Sequence, residues 1–201
     1  MPRKVVIERQ RRLLDDFFKV DEYSVAHQQI DGSIGAAQRR LVFERGDSAA
    51  VLLWHAENDA VVLVEQFKLP ALIGRGRDAH AAADGWIVET VAGMIDPGET
   101  PEAAAIRETL EETGYRIGRL QRIGKFFVSP GGTSERVFLF YAEVHDGERA
   151  TSGSGIAGED IRVVQIPIAE LLDRLDRGMI EDAKLAIAAY WLRSQRRPIR
   201  S

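Results

Sequence analysis

Gly93 to Tyr115 reads GMIDPGETPEAAAIRETLEETGY, and its punctuation predicts a turn, one helix and a stop. Asp96-Pro97-Gly98 supplies the turn, Thr100 can cap the helix, Pro101 suits its first position, and Gly114 can end it. Within Pro101 to Thr113, Ala103, Ile106 and Leu110 fall at spacings of three and four, which predicts an apolar stripe facing the core. Glu108, Glu111 and Glu112 share that spacing on a different face. Three carboxylates within one turn repel by roughly 0.2–0.5 kcal/mol per like-charged pair. Alone, such a run is more often a solvated acidic face than a site. If a cation compensates, Mg²⁺ is suited, because it prefers carboxylate and carbonyl oxygens together with substrate phosphates.

The flanking residues turn the balance. Five residues separate Gly93 from Glu99, seven more precede Arg107-Glu108, and Glu111-Glu112 and Gly114-Tyr115 follow at fixed offsets. Nine positions of this 23-residue window, apolar slots included, fit one pattern, and by it the segment resembles the Nudix box. Thr109 departs from that pattern, standing in a slot that is usually apolar; its methyl can pack but its hydroxyl needs a partner. The resemblance implies an α/β fold, an α/β/α sandwich with a mixed central sheet in which a loop, helix and loop present a metal site. It also implies metal ligation by Glu108, Glu112 and the backbone carbonyl of Ala92, with Glu111 as a further ligand or a water-orienting base. Arg107 and Glu99 would pair to hold the helix, a supporting role that fixes ligand geometry. Chemically the set suits a phosphoanhydride, whose hydrolysis needs neutralised oxygens and an activated water.

Outward from the box, Ala49–Trp54 and Ala60–Val64 predict a core strand pair, and Trp86–Ala92 a single strand entering the turn. Strands are expected near Leu120–Phe127, Arg136–Val144 and Ile161–Ile166, and helices over Ile168–Leu175 and Asp182–Ser194. Leu72 to Gly85 has no clear period and is expected to be a long loop, whose Arg75 and Arg77 are more often surface charge than phosphate contacts. Near the start, Val5–Ile7, Phe17–Gln29 and Arg39–Glu44 predict a small antiparallel sheet with a turn at Asp31-Gly32-Ser33. Too poor in apolar residues to stand alone, that sheet should pack on the main domain or on a partner. The division expected is 1–47 as this N-terminal segment, at a dimer interface, and 48–201 as the hydrolase domain.

Composition excludes several other classes. The 201-residue chain is 45% apolar and 29% charged, as in globular domains, and lacks both an apolar export core and a run of about 18 apolar residues, so a cytoplasmic location without a membrane is expected. With no Cys and four scattered His, thiolate chemistry and an imidazole metal cluster are both removed. A net charge of −4 and a pI near 5.7 argue against nucleic acid as partner. Arg9, Arg11 and Arg12, and Arg193, Arg196, Arg197 and Arg200, are therefore expected to be solvated charge or helix-end decoration rather than an RNA site.

Ser129-Pro130-Gly131-Gly132-Thr133-Ser134-Glu135 resembles the signature of the ADP-ribose pyrophosphatase branch, with Phe43–Gly46, Val64–Lys68 and Val91–Ile95 extending the similarity. By that resemblance Glu135 would contact substrate or support the metal site, Arg40 and Lys68 would reach the diphosphate, and Met94 would line the terminal ribose. Phe17 would stack on the nucleobase across a homodimer interface, its alternative being a core aromatic. Branch members usually carry arginine at Lys68, and lysine lacks its two-pronged grip. The base would be Glu159, in the loop Gly153 to Asp160, or Glu111. The leading expectation is metal-dependent hydrolysis, with Mg²⁺ or Mn²⁺, of ADP-ribose to AMP and ribose 5-phosphate. GDP-mannose or a related sugar nucleotide is the alternative, since Glu111–Tyr115, Gly158–Ile161 and Asp182–Lys184 also resemble a GDP-mannose-cleaving group. A non-catalytic nucleotide-sugar sensor and an RNA-decapping enzyme are the competing classes.

Overall fold

The computed structural model describes residues 2–76, 84–150 and 160–196. They form two compact units, Met1–Asp47 with Phe127–Arg136, and Ser48–Phe126 with Val137–Ser201.

In the first unit, β1 (Val5–Asp15), β2 (Lys19–His27) and β3 (Gln38–Glu44) make an antiparallel sheet in that order. β1 runs far beyond the predicted Val5–Ile7, through a charged stretch with weak strand propensity. Cross-strand ion pairs compensate. Arg12 Nε donates to Asp21 Oδ1 at 2.5 Å, and Arg9, Arg11 and Arg39 all pair with Glu22. The N-terminal arginines are thus paired and not merely solvated, and Asp21 and Glu22 are buried beneath them. Phe17 lies in the β1–β2 turn and not in a strand, edge-on to Phe18 and 79% exposed, which rules out a core aromatic within this chain. Thr133 bridges to Phe43, Ser134 Oγ donates to Glu44, and Arg136 pairs with Asp47, tying Phe127–Arg136 to β3.

The second unit is built on a seven-stranded mixed sheet whose main path is β10 (Ile161–Pro167), β5 (Ala60–Phe67), β4 (Ser48–His55), β9 (Arg136–Val144) and β8 (Gln121–Phe127). β4 runs parallel to β9, whereas β4–β5 and β5–β10 are antiparallel. Period-two alternation sorts the central strands onto two faces. Ala49, Val51, Leu53, Val62 and Val64 join Ala104 and Ala105 of α2 (Pro101–Thr113) in one core. Ala50, Leu52, Val61 and Leu63 join α3 (Ile168–Asp176) and α4 (Ala183–Arg196) in the other. Helices on both faces of a mixed sheet give the expected sandwich.

The sheet forks beside β4. The first half of β4 pairs with β7 (Val91–Met94), its last residues pair with β5, and β5 pairs further out with β6 (Trp86–Glu89). The expected single strand over Trp86–Ala92 is therefore two, divided at the buried Thr90, because it crosses from one arm of the fork to the other. The expected loop over Leu72–Gly85 is also partly wrong. Leu69–Arg75 is a helix, α1, with Pro70 in its first turn. Arg75 is held by Glu181, Asp84 and the Trp86 carbonyl, which leaves it committed within the fold. Arg77 lies outside the described residues.

Candidate active site

α2 forms as its sequence dictates. Thr100 Oγ1 accepts from the Ala103 N–H at 3.1 Å, Pro101 opens the first turn, and Gly114 closes the helix with φ of 77°, a conformation that favours glycine. Its buried face differs from the predicted stripe. Ala103, Ile106 and Leu110 are exposed, while Ala104, Ala105, Thr109, Glu112 and Thr113 are buried. The small alanines let the helix lie close to the sheet, and that closeness brings the Glu112 carboxyl down to β7. Thr109 finds the partner its hydroxyl needs by donating to the Ala105 carbonyl at 2.7 Å.

Arg107 organises the exposed edge of this helix. Its Nε and Nη2 donate to the two Glu99 oxygens at 3.1 and 2.9 Å, and Nη2 also reaches the Met94 carbonyl at 3.0 Å. Nη1 donates to Glu108 at 2.6 Å and to Glu111 at 3.3 Å. Glu99 also accepts from the Asp96 N–H, so the turn, helix and β7 are knotted through one guanidinium. The bidentate Glu99 contact holds the guanidinium charged, well above its ordinary range, and pulls the Glu99 carboxyl below its own.

Glu112 is the buried carboxylate of the group. It accepts from the Ala92 N–H at 3.3 Å, and burial, with Glu108 and Glu89 nearby, pushes its pKa up to about 8. Gly93 supports Glu108: a Cβ built at this position would fall inside the Glu108 carboxylate, so only glycine lets that side chain lie on the β7 backbone. Among the described residues, no three carboxylate or histidine side chains are grouped closely enough to hold a metal ion as they stand. The donors nonetheless suit a hard divalent cation. They are all oxygens, and an inward-facing carboxyl whose pKa is raised first by burial and then by its carboxylate neighbours is the group that added positive charge would relieve.

The structure thus brings together Ala92, Met94, Glu99, Arg107, Glu108, Glu111 and Glu112. Lys68 joins them through Glu89, whose carboxylate it approaches at 3.3 Å. Phe17, Arg40 and Glu135 belong to the first unit. Arg40 is exposed and donates to Gln38, and Glu135 is largely buried and pairs with Arg45 at 3.7 Å. Glu159 lies outside the described residues. Sequence reasoning missed Glu89 as part of the group. A single carboxylate inside the apolar run Trp86-Ile87-Val88-Glu89 was the available signal, since a buried strand holds a charge only when it is paired.

The NUDIX domain model matches residues 44–186. GDP-mannose pyrophosphatases are similar over nearly the whole chain. That of Cronobacter sakazakii (strain ATCC BAA-894) is 33% identical across 93% of this chain and 94% of its own. That of Enterobacter sp. (strain 638) is 32% identical across 96% of each, and that of Escherichia coli O1:K1 / APEC is 31% identical across 96% of each. A solved structure described as an ADP compounds hydrolase superposes with a TM-score of 0.66 over 97% of both chains at 22% identity, which supports the fold. The chain belongs to the Nudix family, as an enzyme of the pyrophosphatase type.

Proposed function

We propose that the protein hydrolyses the pyrophosphate bond of a nucleoside diphosphate sugar in a reaction dependent on Mg²⁺, with Mn²⁺ as a substitute. The observation that carries this reading is the placing of the Glu112 carboxyl, buried against the Ala92 N–H of β7, on the same helix as Glu108 and Glu111, which one guanidinium holds. Such a cluster suits a bound cation and a phosphate-rich ligand better than it suits a solvated helix face. In this reading Glu108, Glu112 and the Ala92 carbonyl hold the metal, with Glu111 as a further ligand, and Arg107 and Glu99 fix their geometry. When bound, the cation supplies charge neutralisation on the diphosphate oxygens and lowers the pKa of the attacking water. Lys68 adds a positive charge toward the diphosphate, and Met94 lines the sugar side. The water's proton goes to Glu159 or to Glu111, the latter one-third exposed and steadied by Arg107.

Between substrates, GDP-mannose is favoured over the ADP-ribose expected from the sequence. Relatives above 30% identity over nearly the full length are named for it, and Asp182-Ala183-Lys184 falls beside Glu89. ADP-ribose is the second reading, favoured by Ser129–Glu135. In the first unit, every residue of β1 is exposed, Val5, Ile7 and Leu14 among them. That apolar surface supports the proposal that 1–47 forms a homodimer interface, with Phe17 stacking on the nucleobase and Arg40 and Glu135 completing the substrate contacts. The test is turnover of GDP-mannose, ADP-ribose and UDP-glucose with Mg²⁺ or Mn²⁺, with products identified in ¹⁸O-water. GMP and mannose 1-phosphate, lost on chelation and in Glu112→Gln, are expected. Tight binding of these compounds without turnover would transfer the protein to the sensor class, and cleavage of capped RNA alone would transfer it to decapping.

A further inference from the structure

Glu89 closes β6 with its side chain only 8% exposed. Lys184 Nζ, in the first turn of α4, donates to its Oε2 at 2.9 Å, and Lys68 Nζ lies 3.3 Å from its Oε1. Lys184 also donates to the buried Asp182 at 2.6 Å, and Asp182 caps α4 by accepting from the Leu185 N–H at 2.8 Å. Lys184 already has a carboxylate partner without Glu89, so docking α4 does not require a second one. What Glu89 does that Asp182 does not is reach Lys68, whose side chain remains 43% exposed while tethered. A lysine is a point charge on four flexible carbons, without the pre-formed fork of arginine, and needs an external hold to be aimed.

We propose that Glu89 is a positioning residue: braced by Lys184 on one oxygen, it uses the other to hold the Lys68 ammonium toward the diphosphate of the substrate. The inference rests on the nucleotide-sugar reading above.

The test is a double-mutant cycle between Glu89→Gln and Lys68→Met, read by KM and kcat with GDP-mannose and by calorimetric binding of GDP in Mg²⁺. Lys68 and Glu89 Oε1 form an ion pair without a hydrogen bond, so the expected result is a KM raised about tenfold by either change, on the scale of the one charge-assisted contact the ammonium would make to the diphosphate, with kcat moved less than about threefold. The double variant should be no worse than Lys68→Met alone. Additive losses overturn the proposal, as does an unchanged KM together with unchanged GDP binding. Glu89→Asp, which keeps the charge but withdraws it by one methylene, should reproduce the KM rise in a folded protein. If both Glu89 variants fail to fold, the residue is structural and the proposal falls. If the wild type turns over no nucleotide sugar, the functional reading falls by itself, and the GDP affinities of the same four proteins still decide whether Glu89 acts through Lys68.

Discussion

Replacing Gly93 by alanine separates the site from the fold. Gly93 has no positive φ, so its backbone accepts a side chain without strain. The new methyl, however, would occupy the position of the Glu108 carboxylate. Non-bonded carbons settle at about 3.5–4.0 Å, so the carboxylate must withdraw by more than about 1 Å. That movement sacrifices the 2.6 Å Arg107–Glu108 pair, worth about 1 kcal/mol or less with both side chains partly exposed. Alanine recovers about 0.5–1 kcal/mol relative to glycine inside a strand. The net change in stability is therefore about 1 kcal/mol at most, or under about 4 °C in Tm at this chain length. Activity should respond on a different scale, since displacing a site group by about 1 Å costs on the order of 100-fold in rate. The assay pairs scanning calorimetry with initial rates on GDP-mannose in Mg²⁺. An activity within fivefold of wild type, or a Tm lowered by more than about 10 °C, would refute the assigned packing of Glu108 on Gly93.

Three other outcomes follow from the same geometry. Because the folded pKa of Glu112, about 8, lies above its ordinary 4.5, the native state holds a proton that the unfolded chain releases. Its contribution is fully present below about pH 4.5 and is lost as pH rises through about 8; the Tm of metal-free protein should show this decline, and Glu112→Gln should flatten it. His145 is raised above 6.5, first by its hydrogen bond to Glu57, so its stabilisation is present below that value and is lost as pH climbs through the raised one. An NMR titration should give a midpoint above 6.5 that drops back in Glu57→Gln, and an unmoved midpoint would remove the pairing. Thr109→Val deletes a hydroxyl bonded only within its own helix and should change Tm by less than about 4 °C, whereas a fall beyond about 8 °C would show a role that this bond does not explain.

The helix that carries the carboxylates was legible to the residue, because Thr100, Pro101 and Gly114 act locally and no neighbour overrides them. Its buried face was not. Ile106 and Leu110 are the larger apolar residues, but the close approach of the helix to the sheet selects Ala104, Ala105 and Thr109 instead, a tertiary preference that spacing cannot express. The strand over Glu8–Arg12 was hidden for a related reason, since its stability lies in arginine pairs with Asp21 and Glu22 across the hairpin. Glu89 went unread because its partners, Lys68 and Lys184, stand 21 and 95 positions away in sequence. The pairing of Arg107 with Glu99 was expected only through family resemblance, and its 2.9 Å contact is present in the structure.

The fork in the sheet carries one further consequence. Glu89, which tethers Lys68, ends β6 on one arm, and Gly93, which seats Glu108, lies in β7 on the other. Only Thr90, Val91 and Ala92 separate them along the chain, so the two act as graduations on one ruler, no more than about 13 Å apart at the spacing of extended chain. Adding or deleting one residue between them would alter that length by about 3 Å and turn one of the two toward the opposite face. Selection for a ligand of fixed length would act on this segment by preserving its residue count, whatever happened to its side chains.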